Sequence, residues 1–452
     1  MQGGGLIEVN TLADLHRWAD HVVATLSTFK PAGKDVVLQL QRILGDRTMS
    51  GAFSGIETPT TGCMHMAYAF AKKAGNKPRF PKHRWVLEWN KDAIKDLLLH
   101  PGLGPDCCVF GDIMTFVNPA YSSVIEHLKK NPHLAVDVLT DVVRSGALVK
   151  LTSWCYRHNR YCKVCRTDAH CAGTPCTPFS TQGSQKANED PCVLFLLVWC
   201  ALIIKLRIPS VLQENVSGFI SSLLVSLMGH LYAAQWYVCD TDVYGWPSHR
   251  VRKYHGLILK DATMPLATTT PDPLDVFMRE FHRVCNITCD AFWVAPDAML
   301  EDLLLASLSK CKTGDEITRN NVDVSNPEQW LSCLLPEQIK RLNLYRELAP
   351  GGCYSLQQNP GGDGETRGFG AHSDEKGALH TMIKNCLPLW SEQLETKRLC
   401  HPFEIAGTQG LYVFTPERQA LWPDSPDRKL SSLDVEVMII FDNVNLSHAR
   451  IR

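Results

Sequence analysis

Residues 51–57, Gly51-Ala52-Phe53-Ser54-Gly55-Ile56-Glu57, set a glycine-containing turn directly behind a short run of small and apolar side chains. A turn of this kind after a strand lets backbone approach a ligand closely, because glycine adds no Cβ. Three further segments share the form of a short apolar run ending in glycine or an acid: RWVLEWN (84–90), CCVFGDI (107–113) and PSVLQENV (209–216). Longer stretches of helical pattern separate them, as in βαβ units around a largely parallel sheet. Ligands of such sheets bind outside the carboxyl ends of the strands, so the four strand ends locate the candidate site.

The rest of the chain fits that reading. With 452 residues, 45% hydrophobic and 21% charged, it can bury a large core and lacks the composition of disorder. Its net charge of −1 gives no global attraction for nucleic acid, so any such contact must come from local patches. Two candidates are Arg157, His158, Arg160, Lys163 and Arg166, interleaved with Tyr156 and Tyr161, and His249, Arg250, Arg252, Lys253 and His255. Eighteen cysteines without an apolar leader point to reduced thiols rather than a disulfide framework. The longest apolar run, VLFLLVWCALII (193–204), is shorter than the roughly 20 residues of a membrane span and reads as a buried helix.

Four regions follow. Residues 1–47 form an N-terminal helical extension carrying LADLHRWADHVVATL. Residues 48–261 hold the strand-end motifs, with a Cys/His-rich insertion at about 121–170. Residues 262–350 shift to short helical patterns and polar loops, and residues 351–452 follow through the turn-rich QQNPGGDGETRG (357–368).

The first three strand ends suit an adenosine with a charged tail. Phe53 can lie against the base, the Ser54-Gly55 turn can admit the amino-acid end, Glu88 can accept from ribose hydroxyls, and Asp112 can accept from the adenine amine. Next, AGTPCTPFS (172–180) sets Cys176 between two prolines, which reads as a rigid, exposed presentation of a thiol nucleophile. Glu214-Asn215-Val216 and then YGWPSHRVRKY (244–254) follow, with Arg250 and Arg252 spaced to one side of a strand.

In this order the motifs resemble those of the DNA cytosine-5 methyltransferases. The F-x-G turn matches Phe53-Ser54-Gly55, the ribose acid Glu88, and G-D-I Gly111-Asp112-Ile113. The G-x-P-C-x-x-F-S loop matches residues 173–180, E-N-V residues 214–216, and Y-G-x-P-x-x-R-x-R residues 244–252. Later pieces resemble Gln358-Asn359-Pro360, residues 398–404 (RLCHPFE), Gln409-Gly410 and, as the last cofactor motif, Asp442-Asn443-Val444.

The resemblance implies a Rossmann-like α/β fold for an S-adenosylmethionine-dependent methyltransferase, with a mixed, mostly parallel seven-stranded sheet and a target-recognition region at 262–350. It implies S-adenosyl-L-methionine held by Phe53, Ser54, Gly55, Glu88, Asp112, Ile113 and Asn443, and a catalytic set of Cys176, Glu214, Arg250 and Arg252. The chemistry agrees. Cytosine C5 attacks a methyl group only after a thiolate has added to C6, and an acid near N3 relieves the charge that develops. A DNA substrate must be flipped to expose C6.

The chain also departs from the family. Thr177 replaces the usual amide of the catalytic loop, Ser248 replaces a glutamine, Glu57 stands where a small residue is common, and Cys400-His401 replaces part of a later motif. Transfer-RNA cytosine methylation and a weakly catalytic DNA-binding relative are the alternatives, and His372, Asp374 and His448 also mimic the facial triad of iron oxygenases. The chemistry requires no metal, yet Cys155, His158, Cys162, Cys165, His170 and Cys171 fall within seventeen residues. Cys155, Cys162, Cys165 and Cys171 are therefore the candidate zinc thiols. Expected partners are DNA and a regulatory or oligomeric protein, without a membrane. The expected location is the nucleus in a eukaryote and the cytoplasm otherwise.

Overall fold

A short buried strand, β2 (Thr48–Ala52), occupies the middle of the largest sheet among the described residues. The computed structural model describes residues 7–11, 17–28 and 36–261 with short breaks, residues 281–286, a helix at Pro336–Leu348, and a few very short strands beyond it. These residues divide into two compact units, one built mainly from Arg17–Cys239 and Val251–Phe281, the other from Met1–His16, Asp240–Arg250 and His282–Phe441.

In the first unit, α1 (Trp18–Thr28) and α2 (Val36–Asp46) precede β2, and both pack with the helix that follows it, α3 (Thr58–Ala74). Then come β3 (Lys82–Leu87), α4 (Lys91–Leu99) and β4 (Cys108–Phe110). The insertion contributes α5 (Ser122–Lys130), α6 (Ala135–Arg144) and a hairpin, β5 (Thr152–Cys155) with β6 (Arg160–Lys163). The chain continues through β7 (Ala169–Gly173), α7 (Val193–Leu206), β8 (Ser210–Val216), α8 (Ser221–Met228), β9 (Tyr232–Cys239) and, after a two-residue β10 (Ser248–His249), β11 (Arg252–Leu259).

The sheet runs β6-β5-β4-β3-β2-β7-β8-β11-β9. This corrects the expected seven-stranded, mostly parallel sheet. There are nine strands, and of the eight pairings four are parallel (β4-β3, β3-β2, β2-β7, β7-β8) and four antiparallel. The two additional strands are the β5–β6 hairpin of the insertion. β5 and β11 alone run against the rest, and each creates an antiparallel pairing on both of its sides. The sheet is mixed for that reason.

From β2 the chain steps outward one way through β3 and β4, and from β7 the other way through β8. The order reverses between β2 and β7, which makes their adjacent carboxyl ends the topological switch point where ligands of open α/β sheets bind. Ala52 lies beside Ala172, so the Phe53 turn and the Gly173 loop leave the sheet together.

The core lies beneath that edge. Every residue of α7 except Phe195 and Lys205 is buried, as its unbroken apolar sequence requires of a helix covered on all sides. His170 on β7 sits among these residues in a defined tautomer. The Trp199 indole N–H donates to its Nε2 at 3.1 Å, leaving Nδ1, 2.8 Å from Ser50 Oγ, to carry the proton. Burial lowers its pKa to about 3.

In the second unit, β1 (Ile7–Val9) pairs in parallel with β12 (Arg283–Cys285), β10 with β14 (Leu379–His380), and β13 (Cys353–Ser355), β15 (Leu389–Ser391) and β16 (Leu399–Cys400) form an antiparallel sheet. Most of the expected target-recognition region, residues 262–350, lies outside the described residues. So do Arg250, Asn443, the motifs at 358–360, 398–404 (apart from the short β16) and 409–410, and the H-x-D at 372–374 with His448. Among the described residues no helix is long and apolar enough to cross a membrane.

Candidate active site

The turn after β2 is bent against its own side chains. Phe53 (φ 53°), Gly55 (φ 54°) and Glu57 (φ 62°) all have left-handed backbone, which for the bulky Phe53 is a strained conformation held by its surroundings. A Cβ at Gly51 would press on the Glu57 carboxylate and the Ser54 hydroxyl, so a larger residue there must displace both. Glu88 locks the turn from the end of β3. Its Oε2 accepts from the Gly55 N–H at 2.9 Å and its Oε1 from the Asn90 N–H at 2.8 Å. Burial raises the Glu88 carboxyl to about 7, against the lowering effect of these backbone donors.

Glu57 is the residue whose importance the sequence hid. It is buried, and its carboxylate has the Ser54 and Thr60 hydroxyls beside it but no well-aligned hydrogen bond and no cation among the described residues. Desolvation lifts the Glu57 carboxyl to about 7 despite the nearby Ser54 and Thr60 hydroxyls. Buried polar atoms without partners are costly, and a group that must stay unpaired in the free protein points to a ligand. A buried carboxyl under a strained glycine turn, locked in place by Glu88, fits the ammonium and sulfonium charges of S-adenosylmethionine.

Asp112 ends β4, exposed, and its Oδ1 caps the following turn by accepting from the Met114 N–H at 2.8 Å. Ile113 is buried in the main core and packs there.

On the other side of the switch point, β8 holds the loop that carries Cys176. Asn215, fully buried, donates from Nδ2 to Thr174 Oγ1 at 2.9 Å and to the Thr174 carbonyl at 3.0 Å, while Gln213 donates to the same hydroxyl. Gly173 is in register with Glu214, so the loop leaves the sheet beside that acid. Glu214 Oε1 is 2.9 Å from Arg252 Nε, at the start of the antiparallel neighbour β11. The structure thus brings Cys176, Glu214 and Arg252 to the same end of three adjacent strands.

The exposed thiol expected from the prolines is corrected: Cys176 is only 2% exposed. The Phe179 and Ser180 N–H groups both turn back to the Cys176 carbonyl (2.8 and 2.9 Å), curling the loop around Cys176. Flanking prolines stiffen a loop without deciding which way its centre faces.

The second basic patch also changes character. Arg252 pairs with Glu214, Lys253 donates to the Phe219 carbonyl at 2.8 Å, and His255 is buried against Ser221. The first keeps Arg160, Tyr161, Lys163 and Arg166 exposed, with Trp154 edge-on to Tyr161, on the β5–β6 hairpin and the residues just after it.

The expected zinc thiols divide. Cys155 and Cys162 meet Cys108 and His158, whereas Cys171 lies on β7 within the sheet and Cys165 packs against the core.

A family model for C-5 cytosine-specific DNA methylases matches residues 158–326, a span that contains Cys176, Glu214, Arg250 and Arg252 but not the turn at Phe53, Glu88 or Asp112. That match supports the resemblance over residues 158–326, and the described residues form an α/β fold with a mixed sheet. No curated protein matches the chain. Similar solved structures include a protein described as a DNA modification methyltransferase, encoded within an E. coli prophage (16% identity, TM-score 0.31, 56% of this chain and 56% of that one). Others are a Spodoptera frugiperda DNMT2 variant (15%, 0.31, 60% and 66%) and S. pombe Dnmt2 methyltransferase (14%, 0.32, 59% and 65%). The matched part spans less than two thirds of each of these chains.

Proposed function

We propose that this protein methylates carbon 5 of cytosine in DNA through a covalent bond between Cys176 and C6. The observation that carries the reading is the clamp of Asn215 on Thr174, which holds the Pro175-Cys176 step at the switch point beside the Glu214–Arg252 pair. S-adenosylmethionine, when bound against Phe53, Gly55, Glu57 and Glu88, supplies an activated methyl group. The Cys176 thiolate adds to C6 of a flipped cytosine, which loads electron density onto C5. C5 then takes the methyl group as the sulfonium S–CH3 bond breaks and S-adenosylhomocysteine leaves, a base removes the C5 proton, and the Cys176–C6 bond breaks by elimination. Glu214 engages N3 and the exocyclic amine during the addition, oriented by Arg252. Arg160, Lys163 and Arg166, with Tyr161, form a surface suited to a phosphate backbone and unstacked bases.

The test uses labelled S-adenosylmethionine with duplex DNA or transfer RNA, beside Cys176→Ala. Label in DNA that is lost in the variant is expected; label in RNA alone, or label unaffected by the substitution, overturns the reading. DNA containing 5-fluorocytosine adds a second arm, since fluorine cannot leave as a proton does. A stable protein–DNA adduct is expected with the natural chain, and methylation without an adduct would exclude the covalent route.

A further inference from the structure

Four side chains outside the proposed active site converge on one point. Cys108 opens β4, Cys155 closes β5, His158 lies in the hairpin turn, and Cys162 is on β6. The His158 Nδ1 atom is 3.5 Å from Cys108 Sγ, 3.3 Å from Cys155 Sγ and 3.6 Å from Cys162 Sγ, and all four potential ligand atoms lie within 4.8 Å of one another.

We propose that Cys108, Cys155, His158 and Cys162 form a structural zinc site. Zinc binds thiolate at about 2.3 Å and imidazole nitrogen at about 2.0–2.1 Å, so a tetrahedral site has N···S edges of about 3.6 Å. The three measured edges lie within a few tenths of an ångström of that value. Hydrogen bonding alone does not account for the arrangement, because a single Nδ1 lone pair accepts one hydrogen and three sulfurs crowd around it. The cysteines are free thiols rather than a disulfide.

The far side of the ring agrees independently. His158 Nε2 is 3.1 Å from the Pro105 carbonyl, which can only accept, so the ring proton sits on Nε2 and the Nδ1 lone pair faces the sulfurs. A backbone carbonyl that fixes the tautomer of a metal-binding histidine is the usual support for such a ligand. Four protein ligands close the coordination sphere, as in structural rather than catalytic zinc sites.

The position gives the metal a task. The β5–β6 hairpin joins the main sheet through one register pair, Phe110 with Cys155, while its own ladder has four. Zinc would fasten it to β4 four residues before Asp112. It would also hold Tyr156 over Gly111, where a Cβ would lie 3.0 Å from the ring. The exposed basic and aromatic residues of the hairpin would then be fixed relative to the cofactor edge of the sheet.

The test is metal analysis of the full chain purified without chelator from zinc-supplemented medium. About one zinc per chain is expected, falling at least fivefold in Cys108→Ser and in His158→Ala and unchanged in Cys165→Ala. Cobalt exchanged into the natural chain should show the intense visible bands of tetrahedral coordination with thiolate charge transfer, a readout that holds even where a variant fails to fold. Zinc stoichiometry near zero, zinc retained in Cys108→Ser, or a weak octahedral cobalt spectrum would each overturn the proposal.

Discussion

Replacing Glu57 with glutamine tests the cofactor pocket through two quantities of opposite sign. The Glu57 carboxyl rises from an ordinary 4.5 to about 7 because its burial outweighs the lowering effect of the Ser54 and Thr60 hydroxyls. In the unfolded chain the same group ionises near 4.5, so the unfolded state loses its proton first as pH rises, and stability is lost between pH 4.5 and about 7. Each pH step between those two values costs about 1.4 kcal/mol, which amounts to about 3 kcal/mol above pH 7. Glu57→Gln keeps the shape and removes the ionisation. The variant should therefore match the natural chain near pH 4.5 and exceed it by about 3 kcal/mol at pH 8, measured by urea unfolding at both values. Cofactor binding should move the other way. A cationic tail draws Glu57 into its ionised form, so calorimetry of S-adenosylmethionine binding at pH 6 should detect release of a proton, and the variant should bind about 10- to 100-fold more weakly without that release. A stability gain equal at both pH values, or unchanged cofactor affinity in Glu57→Gln, would refute the reasoning.

Asn215→Ala removes the Thr174 clamp and leaves a buried carbonyl and hydroxyl short of donors, at a cost of roughly 1–3 kcal/mol. Methyl transfer should fall by one to two orders of magnitude while S-adenosylmethionine affinity is kept; equal losses in both would show that Asn215 supports the whole sheet rather than the loop. Arg252→Met strips the ion-pair partner from a largely buried Glu214 and should destabilise by roughly 3 kcal/mol in urea, at the low end for broken buried pairs because both side chains retain some solvent contact. Acid should unfold the protein early. Burial holds His83, His100 and His255 at about 4 and His170 at about 3, so each costs about 1.4 kcal/mol per pH unit once the unfolded chain begins to bind protons below about 6.5. A urea midpoint unchanged between pH 7 and pH 5 would contradict these buried neutral rings.

The four strand-end segments were legible because each combines a short apolar run with a glycine or acid, and all four fall at β2, β3, β4 and β8. The buried helix at 193–204 was legible for the same reason, since an apolar run of that length has no other place in an aqueous chain. The strand count was not. TSWC and RYCK are too short and too polar to announce a hairpin, and they become strands through pairing with each other and with the edge of β4. Position along the chain also concealed which way side chains face. Arg252 and His255 have the spacing of a basic patch, yet β11 is an interior strand between β8 and β9, and the two side chains are buried on its opposite faces.

The two groups of residues that the sequence undervalued share a physical cause. Glu57 is conspicuous only once its burial is known, because an acid at a helix start is ordinarily a solvated residue near the positive end of the dipole. Here the left-handed turn at Phe53 and Gly55 accompanies its burial instead, and it is cut off from water and from any cation among the described residues. Cys108 is separated from Cys155 by 47 positions, so ligand spacing along the chain favoured Cys165 and Cys171, which the sheet carries elsewhere. In both cases a strand end brings distant or misdirected side chains to one point, and chemistry follows that point rather than the spacing. The two sites meet on β4, where Cys108 lies four residues before Asp112. Loss of the metal should therefore reach the adenine edge of the cofactor pocket first, and leave the Asn215 clamp on the far side of β2 in place.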